Sequence, residues 1–199
     1  MAGVLEYQHS TPLHVGITGV CAAALGASRR ALAPAVHDLH CVGRQVLAEG
    51  RFTVRRGPGL FVALVANGLR LPAAGNQVPL RLHIERSEHH ETWQRHFGDT
   101  SCVLTTQRLY GSGRIEERVG PAWIVLEVRA HDGALHMRQI AAGIRLRRLR
   151  VPLPMWLCPQ TTASAAPASS DEVAVAVRVA LPHGRVLLTY SGLVKQVRR

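Results

Sequence analysis

Four histidines that lie close together are the first residues of this sequence that could do chemistry. His83, His89, His90 and His96 fall within one short stretch, beside a tryptophan, an arginine and a glutamate. Imidazole nitrogens bind zinc and act as general acids and bases. Whether these four side chains can act together depends on the elements that carry them.

That stretch has the pattern of a β-hairpin. "VPLRLHIER" (78–86) and "ETWQRHF" (91–97) alternate in polarity around the polar turn Ser87–His90. Such a turn pairs Arg86 with Glu91, Ile84 with Trp93, Leu82 with Arg95 and Leu80 with Phe97. Because alternate side chains share a face, His83 and His96 are expected to face solvent. His90 and His96 would lie about 20 Å apart along the strand, too far for one metal ion. No metal site is predicted.

The inward face of the same hairpin carries charged side chains among apolar ones. Arg95 lies between Trp93 and Phe97 in the alternation, and a buried guanidinium needs a carboxylate or a ligand anion to offset its desolvation. Two interpretations stay open. In the first, Arg95 has a structural role, either in an ion pair or with its side chain extended out of the barrel end. In the second, Arg95 anchors a small apolar or acidic molecule. The candidate ligand-binding residues are Arg95, Trp93, Glu91, Glu117 and Glu127.

Motifs of catalysis and cofactor binding are missing from the sequence. It has no G-x-S-x-G, H-E-x-x-H, P-loop or strand-following G-x-G-x-x-G. Glu116 and Glu117 are adjacent, so they point to opposite faces of a strand and do not form a carboxylate pair. No catalytic residue and no cofactor is predicted, and a non-catalytic role is favoured over an enzyme.

Charge is the unusual feature of the composition. The formal net charge is +11, and Lys195 is the only lysine, so almost all of the positive charge is arginine. The densest basic run, "GIRLRRLRVP" (143–152), contains no aromatic residue that could stack on bases, so no specific nucleic-acid binding is predicted. The run is interpreted as a solvated strand edge that discourages edge-to-edge pairing, with contact to an anionic membrane or a partner protein left open.

The cysteines and the N-terminus bear on the compartment. Cys21, Cys41, Cys102 and Cys158 are widely spaced, which indicates free thiols of a reducing compartment, and a cytoplasmic location is predicted. Residues 14–28 are apolar like a signal peptide but lack a positively charged start, and no apolar run is long enough for a transmembrane helix. Residues 1–31 are expected to form a poorly ordered extension, and residues 32–199 a single α+β domain.

Periodicity predicts helices first and strands afterwards. "APAVHDLHCVGRQVLAEG" (33–50) predicts a helix that stops at Gly50, and "PGLFVALVANGLRLP" (58–72) predicts a second, strongly apolar helix. From residue 75 onward period-two alternation predicts about eight strands, with a corner at 151–159 and a linker or hairpin tip at 161–172. The predicted fold is α+β: two N-terminal helices and a curved antiparallel sheet that forms a barrel or half-barrel.

Several segments in order resemble a known family. They are "GRFTVRRGPG", "VPLRLHIER", "ETWQRHFG", "ERVGPAWIVLEV", "GALHMRQIAAGIRLRRLRVPLPMWLCP" and "ALPHGRVLLTYSGLV". Together they resemble the domain of unknown function 4166 family of uncharacterised bacterial proteins, over about residues 32 to 196. The resemblance implies a stand-alone protein or a partner of an oxidoreductase-like domain. It implies no activity and no catalytic residues.

Three functions remain open from the sequence. The favoured one is a non-catalytic module that binds a small molecule or lipid and assists a separately encoded oxidoreductase. The alternative is an enzyme that uses the sheet interior around Arg95 and Glu117, and the third is an interaction protein with an arginine-rich surface. A cavity with polar groups converging on Arg95 would favour the first two, whereas a filled core with a closed ion pair would favour the third.

Overall fold

Antiparallel strands dominate the computed structural model, which describes residues 18–60, 62–64, 71–99, 101–147 and 149–197. The helices are α1 (Val20–Leu25) and α2 (Pro34–Cys41), with short 3₁₀ helices at Gly26–Ala31 and Met155–Leu157. The strands are β1 (Gln45–Arg56), β2 (Gly75–Arg86), β3 (Glu91–Phe97), β4 (Ser101–Gly111), β5 (Arg114–Val119), β6 (Ala122–His131), β7 (Ala134–Leu146), β8 (Leu149–Leu153), β9 (Gln160–Pro167), β10 (Glu172–Ala180) and β11 (Val186–Gln196).

Ten of these strands close into a barrel. Their order is β6-β5-β4-β3-β2-β1-β11-β10-β9-β7, and pairing of β6 with β7 completes the ring. The eleventh strand, β8, pairs with the second half of β7 and lies outside the ring. Closure leaves the ten ring strands without a free edge, as the predicted barrel requires.

The β2–β3 hairpin has the predicted register. Arg86 lies opposite Glu91, Ile84 opposite Trp93, Leu82 opposite Arg95 and Leu80 opposite Phe97. The inner faces of these strands join an aromatic cluster in which the Phe97 ring lies 5.4 Å from Tyr190 and 6.2 Å from Phe52. The alternation between a buried and a solvent-facing side is therefore confirmed here.

The helices close one end of the barrel. α2 starts with Pro34 in its first turn and buries Val36, Leu39 and His40 along one side. α1 buries most of its small side chains and packs against β4, β5 and β6, whereas α2 packs against β9 and β10. Helix α1 lies in the stretch that the sequence assigns to a poorly ordered extension, and its buried side chains thus form part of the core, whereas residues 26–31 are exposed and residues 1–17 lie outside the described residues.

The first predicted helix is too long. It ends at Cys41, and the segment that follows is strand β1, whose inward residues Val46, Ala48, Phe52 and Val54 alternate. Gly50 is not a helix stop. A Cβ there would collide with the carbonyl oxygen of Leu193 on β11, so glycine permits the two backbones to approach.

Other segments also differ from the prediction. The 161–172 linker contains β9, which is rich in alanine, serine and threonine and is held by β10 and β7 on its two sides. The 151–159 corner includes part of edge strand β8, where a proline is tolerated. Of the second predicted helix, residues 60 and 62–64 are helical and most of the rest lies outside the described residues.

Candidate ligand-binding cavity

The barrel encloses a cavity of about 190 Å³. Its walls are mostly apolar, with Phe52, Leu82, Phe97, Leu126 and Val177 among the lining side chains, and Leu71 and Pro72 border it from the β1–β2 connection. Arg56 fixes that border, since its guanidinium donates hydrogen bonds to the carbonyl oxygens of Leu71 and Pro72. The volume exceeds the ~150 Å³ of an engineered apolar cavity that binds benzene.

Arg95 points into this cavity from β3. Its Nη1 donates a hydrogen bond to Thr105 Oγ1 at 2.9 Å, and its Nη2 lies 3.6 Å from Glu117 Oε1. The guanidinium also lies 5.0 Å from the centre of the Trp93 ring. The Arg95 and Glu117 side chains keep 15% and 13% of their surface exposed. This ion pair is therefore loose and borders open space.

A second ion pair, between Arg86 and Glu91, lies beneath the helices. Its side chains are 0% and 1% exposed, and Arg86 Nε lies 3.2 Å from Glu91 Oε1. The remaining Arg86 nitrogens donate to the carbonyl oxygens of Leu39, Val42 and Gly43, which end α2. This arginine therefore satisfies the acceptors that a helix C-terminus leaves open.

Both carboxylate oxygens of Glu91 accept hydrogen bonds from the protein itself. Its Oε1 accepts from the Val20 backbone N–H at 2.5 Å and from Arg86, and its Oε2 accepts from Trp93 Nε1 at 2.9 Å. The backbone N–H that it accepts is at the start of α1. Glu91 thus ties α1, the Arg86 guanidinium and the Trp93 indole together.

His40 is a buried histidine without a hydrogen-bond partner among the described residues. It projects from α2 to the cavity, and its ring centre lies 5.4 Å from that of Trp93. Neither Nδ1 nor Nε2 is hydrogen-bonded. Burial, together with the charges of Arg86 and Arg95, lowers its pKa to about 3, so the imidazole is neutral at ordinary pH.

Two further polar side chains face the same space. Gln107 on β4 lies opposite both Glu91 and Glu117 in the sheet, and its Oε1 is buried without a donor. Tyr190 on β11 lines the cavity, and burial raises the pKa of its phenol. The cavity thus combines apolar walls with a group of polar atoms gathered around Arg95.

The structure separates the five sequence-predicted site residues. Arg95, Glu117 and Trp93 line the cavity together, whereas Glu91 is enclosed in the Arg86 ion pair. Glu127 is on the outside of the barrel, because Leu126 and Val128 occupy the inward positions of β6. Its carboxylate pairs there with Arg129 at 3.1 Å. The prediction that Glu127 can point inward is wrong.

Sequence reasoning missed His40, Thr105, Gln107 and Tyr190 as neighbours of Arg95. Thr105 and Gln107 alternate on β4 with the outward residues Thr106 and Arg108, so the period-two pattern contained a signal for them. His40 had no such signal, because its placement depends on α2 closing the barrel end.

The histidines of the opening stretch are dispersed. His96 is exposed, and His90 Nδ1 lies 2.9 Å from Ser87 Oγ within the turn. His83 lies 3.6 Å from Glu85 on the same strand. Within the described residues, no three His, Cys, Asp or Glu side chains lie close enough together to hold a metal ion.

The cysteines are free thiols, and Cys21, Cys41 and Cys158 are buried. Burial raises the pKa of the Cys41 thiol to about 11, so it is protonated at neutral pH and is a poor nucleophile beside His40. In the part of the chain that the structure describes, no helix is long and apolar enough to cross a membrane.

Comparison with known proteins gives a family and two distant structures. A protein of unknown function from the DUF3598 family of Nostoc punctiforme is 13% identical, with a TM-score of 0.46 over 76% of this chain and 47% of that chain. This chain therefore spans about half the length of that protein. GphF dehydratase 1 is 12% identical, with a TM-score of 0.19 over 94% of this chain and 87% of that chain. Neither similarity is close enough to carry an argument.

Comparison with curated proteins finds no match. Residues 32–194, however, match the family model described as "Domain of unknown function (DUF4166)". These are the residues that form α2 and nearly all of the barrel. Because the match covers most of the chain, the protein belongs to the DUF4166 family.

Proposed function

We propose that the barrel interior binds one compact, mostly apolar small molecule and does not transform it. The observation that carries this proposal is the set of buried polar atoms without partners at the cavity: both ring nitrogens of His40 and Oε1 of Gln107. Buried polar atoms in native proteins nearly always have partners, and each one left alone costs about 1–3 kcal/mol. A ligand with one hydroxyl or amide group would pair with Gln107 Oε1 and with one ring nitrogen of His40.

The charges around the cavity favour a neutral ligand. The Arg95 guanidinium is already balanced by the Glu117 carboxylate, and the low pKa of His40 keeps that ring uncharged. An acidic ligand would bring an uncompensated negative charge into an apolar space, which is costly. A hydroxyl or amide group suits the site better, since it can donate to Gln107 Oε1 and accept from the His40 N–H.

The size of the cavity limits the ligand. Drug-sized molecules occupy pockets of ~300–1,000 Å³, and this cavity is smaller, at about 190 Å³. A single substituted ring fits this volume better than a lipid chain does. The ligand class we propose is therefore a neutral cyclic or aromatic alcohol or amide.

A non-catalytic role agrees with the chemistry of the lining groups. At a pKa of about 3, His40 is a weak base at neutral pH, far from the value that suits general base catalysis. The alternative is an enzyme in which Glu117 takes a proton from a substrate held by Arg95. Its support is the position of both groups at the cavity wall.

The cellular setting is also part of the proposal. Four free thiols support a reducing compartment, for which we propose the cytoplasm. The partner that we propose, a separately encoded oxidoreductase, rests on the family resemblance alone.

A matched series of small ligands tests the binding proposal. Toluene, benzyl alcohol and benzoate share one ring and differ in having no polar group, a neutral hydroxyl or a negative charge. Calorimetric titration should show binding in the order benzyl alcohol, toluene, benzoate, with at least about tenfold between the first and the last. Equal affinities for all three, or no binding of any, would contradict the proposal.

Native mass spectrometry of the protein from its own cells tests whether a molecule is retained. Arg95→Ala should lose the retained mass, and Arg81→Ala, which removes an exposed arginine from the outer face of β2, should keep it. If Arg95→Ala retains the same bound molecule, Arg95 is not part of the binding site. Conversion of the extracted molecule by fresh protein would favour the enzyme.

A further inference from the structure

Away from the cavity, three arginines surround one carboxylate on the outside of the barrel, and a fourth lies nearby. Glu116 on β5 is 0% exposed, and its oxygens lie 2.9 Å from Arg108, 2.8 Å from Arg118 and 2.6 Å from Arg150. Arg145 on β7 borders the same surface depression, which has a volume of about 370 Å³. Among the described residues that line it, Glu116 is the one acidic side chain, so their positive charges outnumber the negative charge by three.

We propose that this depression binds a phosphate group through the guanidinium donors that Glu116 leaves unused. Arginine carries five N–H donors, and the contacts with Glu116 use one nitrogen each of Arg108, Arg118 and Arg150. Those three side chains keep 44%, 33% and 37% of their surface exposed, so a solute can reach them. Arginine forks match phosphate oxygens in geometry as well as in charge.

Arg145 shows that the cluster is more than a closed ion-pair network. It lies directly opposite Arg150 in the β7–β8 pairing, and like charges at such positions repel each other. Among the described residues no carboxylate lies within ion-pair distance of Arg145. A bound dianion would relieve the repulsion, because it supplies the negative charge that the depression lacks.

Trp123 supplies an independent observation. Its indole lies against Gly143, where a Cβ would collide with the ring, and the Arg150 guanidinium covers it at 3.9 Å from the ring centre. Trp123 is 7% exposed and borders the depression, yet its buried Nε1–H has no acceptor within the described structure. A phosphate oxygen is a suitable acceptor for this donor.

The central carboxylate positions the arginines. Burial acts to raise the pKa of Glu116, but the hydrogen bonds from Arg108 and Arg118 outweigh it and leave the pKa below its usual value. Glu116 therefore stays ionised at neutral pH and holds guanidinium groups from β4, β5 and β8 in fixed places. A rigid set of donors loses less freedom when it binds an anion.

Two sources could present the same phosphate chemistry: a soluble phosphate compound and a phospholipid headgroup. The second source is considered because Leu146 and Leu149, at the tip of the β7–β8 hairpin, are 55% and 70% exposed. Inorganic phosphate and vesicles are therefore separate arms of one test. The vesicles contain phosphatidylcholine with or without phosphatidic acid.

The test compares Arg145→Gln with Arg55→Gln at low ionic strength. Both variants remove one exposed positive charge, and Arg55 is on β1, across the barrel from the depression. Neither side chain has an ion pair among the described residues, so both variants should fold. Arg145→Gln should weaken phosphate binding about tenfold in calorimetric titration, and Arg55→Gln should leave it unchanged. Trp123→Phe keeps the ring but removes the N–H, and should weaken binding severalfold.

Each outcome decides the proposal. Binding of inorganic phosphate alone supports a soluble ligand, and binding of phosphatidic acid vesicles that Arg145→Gln abolishes supports a lipid headgroup. Equal losses in Arg145→Gln and Arg55→Gln would mean general attraction by the basic surface, and would overturn the site. So would the failure of both phosphate and vesicles to bind the wild-type protein.

Discussion

Two arginine–glutamate pairs on neighbouring strands of this barrel differ in almost every respect except residue type. Arg86 and Glu91 are fully enclosed, and every oxygen of Glu91 is hydrogen-bonded. Arg95 and Glu117 are 3.6 Å apart and line a cavity with uncommitted polar atoms. Trp93 lies between them, since its indole donates to Glu91 while its ring contacts Arg95.

The difference shows that the role of a buried ion pair is best inferred from the donors and acceptors that remain unused in it and around it. The Arg86 pair joins β2 and β3 to both helices, so its donors and acceptors are used by the fold. Within the described part of the chain, the Arg95 pair has no hydrogen bond to a helix backbone, and polar atoms near it have no hydrogen-bond partner. We therefore assign a structural role to the first pair, and the proposed ligand site to the cavity that the second pair lines.

The largest difference between the pairs should appear in stability. Arg86→Met leaves Glu91 buried without its partner and three carbonyl oxygens without a donor, so the free energy of unfolding should fall by about 3–5 kcal/mol. Arg95→Met should lose less than half as much, because Glu117 is next to open space. Urea unfolding of both variants measures this. Equal losses of unfolding free energy in the two variants would contradict the difference between the two ion pairs.

Next in size is the pH dependence of stability, which depends on His40. Its folded pKa of about 3 lies below the ordinary value of 6.5, so between these values the unfolded chain binds the proton and the folded protein does not. Stability should therefore fall as pH falls through this window, by about 1.4 kcal/mol per pH unit.

His40→Leu should remove this part of the pH dependence. Urea unfolding of the wild type and the variant from pH 7 to pH 4 gives the difference in slope, and contributions from carboxylates such as Glu116 cancel. His96→Leu, at an exposed position, should retain the wild-type slope. A His40→Leu slope equal to that of the wild type would show that the imidazole is accessible to protons.

A smaller effect concerns ligand preference and rests on the proposed function. Glu117→Gln leaves the Arg95 charge unbalanced at the cavity, so the protein should come to favour benzoate over benzyl alcohol. The ratio of the two affinities should change by at least about tenfold, or 1.4 kcal/mol. Glu127→Gln, on the outer face, serves as the control and should retain the wild-type ratio in the same titration.

The smallest effect is a change in the rate of thiol labelling. Burial, followed by the charge of Glu91, raises the pKa of Cys21 well above its usual value, and Cys102 is exposed. A maleimide should therefore label Cys102 rapidly and Cys21 slowly. Because α1 is held by Glu91, Arg86→Met should accelerate labelling of Cys21 more than labelling of the buried Cys158. Unchanged labelling would show that the ion pair does not hold α1 in place.

The sequence predicts a region well when its structure is determined by contacts between residues that are close together in the chain. The β2–β3 register follows from the Ser87–His90 turn and from alternation along two strands, so the sequence alone predicted that Arg95 points inward. The first half of β1 was mistaken for helix because Val46 continues a helical spacing from Val42. Only the close approach of β11 explains Gly50.

The rest of the site depends on contacts between distant segments. Glu116 and Glu117 were expected on opposite faces, and they are, but the burial of Glu116 depends on Arg150 of β8. His40 reaches the cavity because α2 closes the barrel end. No local pattern encodes either contact. The alanines and the proline of β9 similarly concealed that strand, which is held by its neighbours on both sides.

The pairing of β1 with β11 also determines the order of events when the protein is synthesised. Ala48 lies opposite Gln196, about 150 residues later in the chain. At ribosomal rates of about 5–20 residues per second, the second edge of β1 has no partner for roughly 7 to 30 s. During that time β1 presents an open edge to other nascent chains. One of the first strands to be made is thus among the last to be covered.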